Sequence, residues 1–209
     1  MKSILLSIVC LVLAVSANSQ LSKGQKMIGG ELSFSHIKNI NNSFFGEVTA
    51  TVINISPQVG FGLPKNWIAG AGIGYGYGSQ KNGSSVNYVR TTNNIYSIAL
   101  FVRKFHPFNE KAGIYGQLDA GAGFGKAKEK QVQGNFSMIT TKADIFNVTG
   151  LLKPGFYFKA TKRIILEANF GGILYSSSRY KPQNDIKTTI SEFSVTLTNS
   201  FGLGFEFIF

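Results

Sequence analysis

Few residues of this chain have the types and spacing that chemistry requires. It carries two histidines, His36 and His106. Ser35, Ser43 and Glu47 lie near His36 in sequence, the side-chain types of a serine-hydrolase relay. Such a relay works only when serine, imidazole and acid come within hydrogen-bond reach of one another. The plainer reading of His36 is a polar residue at the end of a strand. Gly70-Ala-Gly-Ile-Gly-Tyr-Gly has the glycine content of a nucleotide loop, but no helix pattern follows it to receive a phosphate. Cys10 is the only cysteine. No cofactor, metal site or catalytic residue is expected from these residues.

Met1–Gln20 has the grammar of an export signal: Lys2 as basic region, an apolar core over Ile4–Val15, and small residues at Val15-Ser16-Ala17 or Ala17-Asn18-Ser19. The core is too short for a membrane anchor, and Val9 before Cys10 is unlike a lipidation site. The expected division is a cleaved signal peptide over 1–19 and one domain over 20–209. Cleavage removes Cys10, so the mature chain has no disulfide, thiolate metal site or cysteine nucleophile.

The rest of the 209 residues explains the scarcity of chemistry. The composition is 44% hydrophobic, 13% aromatic and only 15% charged, with 24 Gly against 5 Pro. Soluble domains carry about 25% charged residues. No stretch past the first twenty residues reaches the roughly 20 apolar residues of a spanning helix, and disorder is excluded by the apolar content. What recurs is alternation. Phe193, Val195, Leu197, Phe201, Leu203, Phe205, Phe207 and Phe209 share one parity, against Ser194, Thr196, Thr198, Ser200, Gly202, Gly204 and Glu206; Asn199 and Ile208 break it. Period two means an extended strand with one greasy face. The same split predicts strands near 27–36, 47–63, 67–79, 92–106, 112–127, 144–158, 163–176 and 190–209. In the seventh, Leu174 is assigned to the greasy parity and Tyr175 to the polar one.

Short links at 64–66, 107–111 and 159–162 alternate with longer polar ones at 37–46, 80–91, 128–143 and 177–189. Short inner turns and long outer loops are the pattern of outer-membrane barrels. A sandwich or lipocalin-like barrel would also alternate, with the greasy parity facing a shared core. Ring residues near strand ends (Trp67, Tyr77, Tyr96, Phe124, Phe158, Phe209), a Gly/Ser-rich polar parity and the final Phe-x-Phe-x-Phe favour the membrane arrangement. The expected fold is therefore all-β, an eight-stranded antiparallel up-and-down transmembrane β-barrel. Pro57 and Pro154 each remove a ladder donor, and a bulge is expected at both.

On these residues the chain resembles the small outer-membrane β-barrel family, whose eight-stranded members include the OmpA/OmpX-like barrels, over essentially all of 27–209. Its most specific element is Phe201-Gly-Leu-Gly-Phe-Glu-Phe-Ile-Phe209, similar to the signal read by the barrel-assembly machinery, with Phe205, Phe207 and Phe209 as its anchors. The resemblance implies location in a Gram-negative outer membrane, as a monomer.

An eight-stranded barrel is just wide enough for side chains to fill. The inward parity holds Glu31, Arg103, Asp119, Lys153, Glu167 and Glu206, and the two bases are expected to be bridged by the four acids because buried charge must pair. That describes a plug; the alternative is a narrow porin-like channel for small solutes. His36 and His106 fall at opposite ends of such a barrel, and a lipid-modifying enzyme centred on His36 ranks third. The formal charge is +11, or 11 − 1 = +10 without Lys2. Lys81, Arg90, Lys126, Lys128, Lys130, Lys142, Arg179, Lys181 and Lys187 gather near the outer links. They are either solvated or in contact with outer-membrane lipid and lipopolysaccharide phosphates; export rules out nucleic acid as partner.

Overall fold

The structure, a computed structural model, describes residues 23–40, 47–84, 87–133, 137–182 and 188–209, with the side chains at 40, 137–138, 182 and 196–200 outside the description. The signal segment, Ser43, Lys187 and the side chain of Asn199 therefore lie outside the described residues.

Eight antiparallel strands close on themselves in sequence order: β1 (Lys26–Ile40), β2 (Glu47–Leu63), β3 (Trp67–Gly83), β4 (Asn87–Pro107), β5 (Ala112–Gln133), β6 (Ser137–Lys159), β7 (Ile164–Pro182) and β8 (Thr188–Ile208). The barrel is up-and-down, and every strand pairs its chain neighbours. β1 and β8 close the ring over Met27–Phe34 and Phe201–Ile208 only. Beyond Phe34, β1 continues to pair β2 alone.

Short turns form where their residues favour them. In the β2–β3 turn Lys65 and Asn66 sit at φ 60 and 61, the left-handed region that Asn tolerates better than most side chains. Asn109 Oδ1 accepts hydrogen bonds from the Lys111 and Ala112 amides at 2.9 and 2.8 Å, an Asx turn. Thr161 Oγ1 does the same for Arg163 and Ile164. These three turns mark one end of the barrel, the turn end; the hairpin tips mark the other.

At the hairpin end the expected long loops are replaced by strand. β3 and β4 pair continuously to Gly83 opposite Tyr88, and β5 and β6 to Gln133 opposite Ser137. The polar segments 80–91 and 128–143 are thus mostly extended ladder. Water on both sides of a protruding hairpin removes the need for a greasy face, so the alternation stops while the pairing continues.

Two further expectations need correction. At Pro57 the ladder to β3 lapses between Ile55 and Gln58 with no register shift, while Pro57 stays opposite Gly30 of β1. The missing donor costs a rung on one side and no extra residue is inserted. At Pro154 the β6–β7 register does shift, between Leu152 and Gly155. In β7 the parity reverses at Gly171 and Gly172, where the register with β8 shifts and Gly171 adopts φ 62. Ile173 and Tyr175 consequently point outward and Leu174 lines the lumen.

The outer wall is the greasy one. Ile28, Ile73, Leu100, Phe124, Phe156 and Leu203 are among its exposed apolar side chains, and far more such residues are exposed than buried. On β5 the outward face from Ile114 to Phe124 carries no charge. It runs about 33 Å along the strand at roughly 3.3 Å per residue, or about 25 Å of height at the usual barrel tilt, the height of an apolar membrane band. A row of rings tops it: Tyr75, Tyr96, Phe124 and Phe146 are register neighbours across β3–β6. Tyr75 and Tyr96 lie 5.2 Å apart, Tyr96 and Phe124 6.3 Å. The Tyr75 hydroxyl donates to Asn94 Oδ1 at 2.8 Å, one row nearer the hairpin end.

Candidate functional site

The interior contains two layers, and only the polar one is legible in the parity. At the turn end Met27, Ile68, Phe101, Phe105, Tyr115, Tyr157, Ile165 and Ile208 form one buried apolar cluster. Every strand except β2 contributes to it. On β2 the inward positions are Gly60 and Gly62; a Cβ at Gly60 would come within 2.8 Å of Ile68 and 3.2 Å of Phe101. Gly70 likewise leaves room for the Phe101 ring, with a Cβ there only 2.6 Å from it. Glycine at these positions is what lets the rings close the cylinder. Phe105 packs edge-on against Tyr157 at 5.0 Å and tilted against Tyr115 at 5.8 Å.

Directly above lies Arg103, with no exposed surface. Its guanidinium sits 4.7 Å from the Tyr115 ring centre, 5.5 Å from Phe105 and 5.7 Å from Phe101. Arg103 Nε donates to Gln117 Oε1 at 2.6 Å, and Nη1 donates to Glu167 Oε1 at 2.6 Å and to Glu206 Oε1. Gln58 Nε2 also donates to Glu206 Oε1, at 3.1 Å. Lys153 forms the second centre: its Nζ donates to Glu31 Oε2 and lies 3.7 Å from Asp119 Oδ2. Gln117 joins the two by donating from Nε2 to Asp119 Oδ1 at 2.6 Å. The structure thus places Glu31, Arg103, Asp119, Lys153, Glu167 and Glu206 on the inner face in one connected set, each base facing two acids. Arg103 Nη2, Asp119 Oδ2 and Glu206 Oε2 make no hydrogen bond among the described residues.

Towards the hairpin end the lumen widens into a cavity of about 450 Å³, reaching from Asn93 and Ser97 down to Lys153, Gln117 and Phe101. This vestibule has a mixed lining, with Ser33, Asn54, Ser97 and Asn147 beside Val52, Ile95, Leu151 and Leu174, and stops at the Arg103 layer.

Among the described residues, which leave out Ser43, the hydrolase set around His36 is not assembled. Ser35 and His36 point to opposite sides of β1, and His36 Nδ1 is 2.9 Å from Thr51 Oγ1 with its ring stacked on Phe34 at 6.5 Å. Glu47 is engaged by Lys38 Nζ at 3.0 Å and by the Thr49 hydroxyl at 3.0 Å. These bonds, Lys38 first, hold the Glu47 carboxyl below its ordinary value. A lowered native pKa adds stability above the unfolded value, which is lost as pH falls through the native one. For so exposed a pair the effect on stability is small. Carboxyl NMR titration is expected to give Glu47 a lower midpoint in the wild type than in Lys38→Met. His106 is exposed at the turn end, edge-on to Phe108 at 6.5 Å.

The described basic residues, all of that set but Lys187, turn out to be strand residues of the outer wall, a placement the expected loops concealed. Arg90 is the register partner of Lys81 on one side and Lys130 on the other; Lys128 is opposite Lys142; Lys126 is opposite Asp144, which faces Lys181 across β7. Phe205, Phe207 and Phe209 follow one another on the outward side of β8, with Phe207 and Phe209 rings 6.0 Å apart.

No family model matches the chain, and no curated relative matches it. Among solved structures it is similar to a major outer membrane protein from Thermus thermophilus (9% identity, 87% of this chain and 99% of that one, TM-score 0.43). It is also similar to Neisserial surface protein A (15% identity, 90% and 100%, TM-score 0.36) and to an outer membrane channel from Pseudomonas putida (8%, 93% and 99%, TM-score 0.28). Identity and superposition are low in all three, and the fold stands on the closed strand order of this chain itself.

Proposed function

We propose that this chain is a non-enzymatic integral outer-membrane β-barrel with a side-chain-filled lumen, acting through its outer wall and protruding hairpins in envelope structure or surface binding. The observation that carries the reading is the inversion of the molecule: an uncharged apolar band of membrane height outside, and buried Arg103 with Glu167 and Glu206 inside. A protein bathed in water on both faces would gain nothing from that arrangement, since apolar area is stabilising only when removed from water. The export signal over 1–19, the terminal rings Phe205, Phe207 and Phe209 as assembly-machinery contacts, and lipopolysaccharide as a neighbour of the basic rows belong to the same reading.

The vestibule favours a second reading, a narrow channel, because polar groups line it down to Lys153. The closed apolar layer beneath Arg103 supports the plug instead. Purified protein in a planar bilayer is expected to give no steady ionic current. A reproducible single-channel conductance would replace the plug with the channel. Detergent-extracted protein is also expected to migrate differently on dodecyl sulfate gels before and after boiling, and an unchanged mobility would remove the barrel-in-membrane reading itself.

A further inference from the structure

We propose that the turn end of the barrel is a docking face for a polycarboxylate polymer lying across it, which in the periplasm is the peptidoglycan mesh with its stem-peptide carboxylates. The proposal rests on the membrane reading above, which turns this end to the periplasm, and adds to it a second face and a partner of stated chemistry.

The first observation is where the cations of this end stand. Each of the three short turns carries basic charge: Lys65 between β2 and β3, Lys111 between β4 and β5, and Lys162 with Arg163 between β6 and β7. Lys23 and Lys26 supply a fourth group where the chain enters β1, beside the end of β8. In a closed ring of eight strands these stations fall at every second strand interval, a quarter of the circumference apart. All six side chains are exposed, and none forms an ion pair among the described residues. The same end offers one exposed acidic side chain among the described residues, Glu110. At the hairpin end, by contrast, the cations stand among Glu47, Glu129, Asp144 and Glu192. The one-sided charge belongs to the turn end.

The second observation is that the stations are held in place and face along the barrel axis. The three turns are fixed by the left-handed pair Lys65–Asn66 and by the Asn109 and Thr161 side chains. The fourth station is tied down by the Gly24 amide, which donates to Gly62 O at 2.9 Å, and by the Gly62 amide, which donates to Gln25 O at 2.7 Å. Charges arranged beforehand lose little freedom on binding. Lys65 lies two residues beyond Trp67 and Lys162 four beyond Phe158, the exposed rings that end the apolar parity of β3 and β6. These cations therefore stand past the aromatic level of a membrane, at the end of the cylinder and not along its wall. Between the stations the lumen is shut by the layer of Phe105, Tyr115 and Tyr157. Eight tilted strands at roughly 4.8 Å spacing make a backbone circle about 16 Å across. A lipid headgroup beside the wall reaches one station; an extended chain of carboxylates laid across the closed end reaches several. Each exposed ion pair contributes little alone, so the binding is multivalent and sensitive to salt.

The test sediments the purified barrel, in an uncharged detergent, with isolated sacculi. Wild type is expected in the pellet at low salt and in the supernatant at high salt. The Lys65→Gln/Lys111→Gln/Lys162→Gln/Arg163→Gln variant should bind about tenfold more weakly, because avidity multiplies over stations. Replacing its three lysines by arginine instead should keep the binding. The Arg90→Gln/Lys128→Gln/Lys130→Gln/Lys142→Gln variant removes the same charge from the hairpin end and should sediment as wild type does. Sacculi whose carboxylates have been amidated should not retain the wild type. Poly-glutamate should compete, and dihexanoyl phosphatidylglycerol at equal charge should not. Wild type left in the supernatant at low salt, equal losses in the two glutamine variants, undiminished binding to amidated sacculi, or displacement by the lipid but not by the polymer overturns the proposal, the last by making the end a headgroup site. Heat-dependent gel migration checks that each variant is folded. If those results come from protein that still shifts on boiling, only this proposal falls; if wild type does not shift, the membrane reading falls first.

Discussion

Arg103→Met is expected to destabilise the barrel by about 3–5 kcal/mol, the cost of removing one partner of a buried ion pair. The substitution keeps an apolar stem and removes the guanidinium, with its hydrogen bonds and its place against the Phe101, Phe105 and Tyr115 rings. What remains is Glu167 beside Glu206, each without the Nη1 donor they share, and Gln117 Oε1 without Nε. Adding Glu167→Gln and Glu206→Gln removes the stranded charge and should return most of the stability, because a neutral buried set is often as stable as an ionic one. Urea titration of the folded band in detergent measures both variants. A single variant as stable as wild type would mean that water reaches this layer and that the lumen is not dry.

The second large effect is expected from the ring layer below. Phe105→Ala should lower stability by about 3–5 kcal/mol, as large-to-small changes of a buried ring do. Phe105 is 2% exposed and touches both Tyr115 and Tyr157. Its ring also faces the Arg103 guanidinium at 5.5 Å, so the two substitutions should not add. A double-mutant cycle between Phe105→Ala and Arg103→Met is expected to show a coupling of about 0.5–3 kcal/mol, the range for residues in contact. Additive losses would mean that the cation and the ring layer are held independently.

Why was the outer wall readable in the sequence and the ring layer not? On β5 the run Ile114 to Phe124 meets hydrocarbon on one side and a polar lumen on the other, and two solvents impose two parities. At the turn end the lumen itself becomes apolar, so both parities are greasy. Phe101 between Leu100 and Val102 then belongs to an unbroken apolar run, Tyr115 and Tyr157 fall on the inward parity of their strands, and Ile208 reads as a lapse in the final strand. A cluster of such lapses, all at strand ends on the same side, is the signal that would have shown the closure. The hairpins fail for the converse reason: above the membrane band both faces are wet, so 80–91 and 128–143 lose alternation and look like loops although they are paired. At Gly171 and Gly172 two residues without side chains carry no parity, and the inversion of Leu174 and Tyr175 passes unseen. Parity does identify the inward-pointing acids and bases. Which acid meets which base depends on the stagger between strands, so the division into an Arg103 centre and a Lys153 centre is visible only in three dimensions.

The short joint between β1 and β8 sets how the cylinder comes apart. Lys26 and Phe209 exchange backbone hydrogen bonds at 2.9 and 3.0 Å at the turn end, and the pairing beyond them runs only to Phe34 opposite Phe201. A pull applied between those two residues loads one rung at a time, as in peeling tape, whereas separating any other neighbouring strands from their far ends must first break a longer ladder. The joint with the shortest ladder is therefore the one that the fewest broken bonds open.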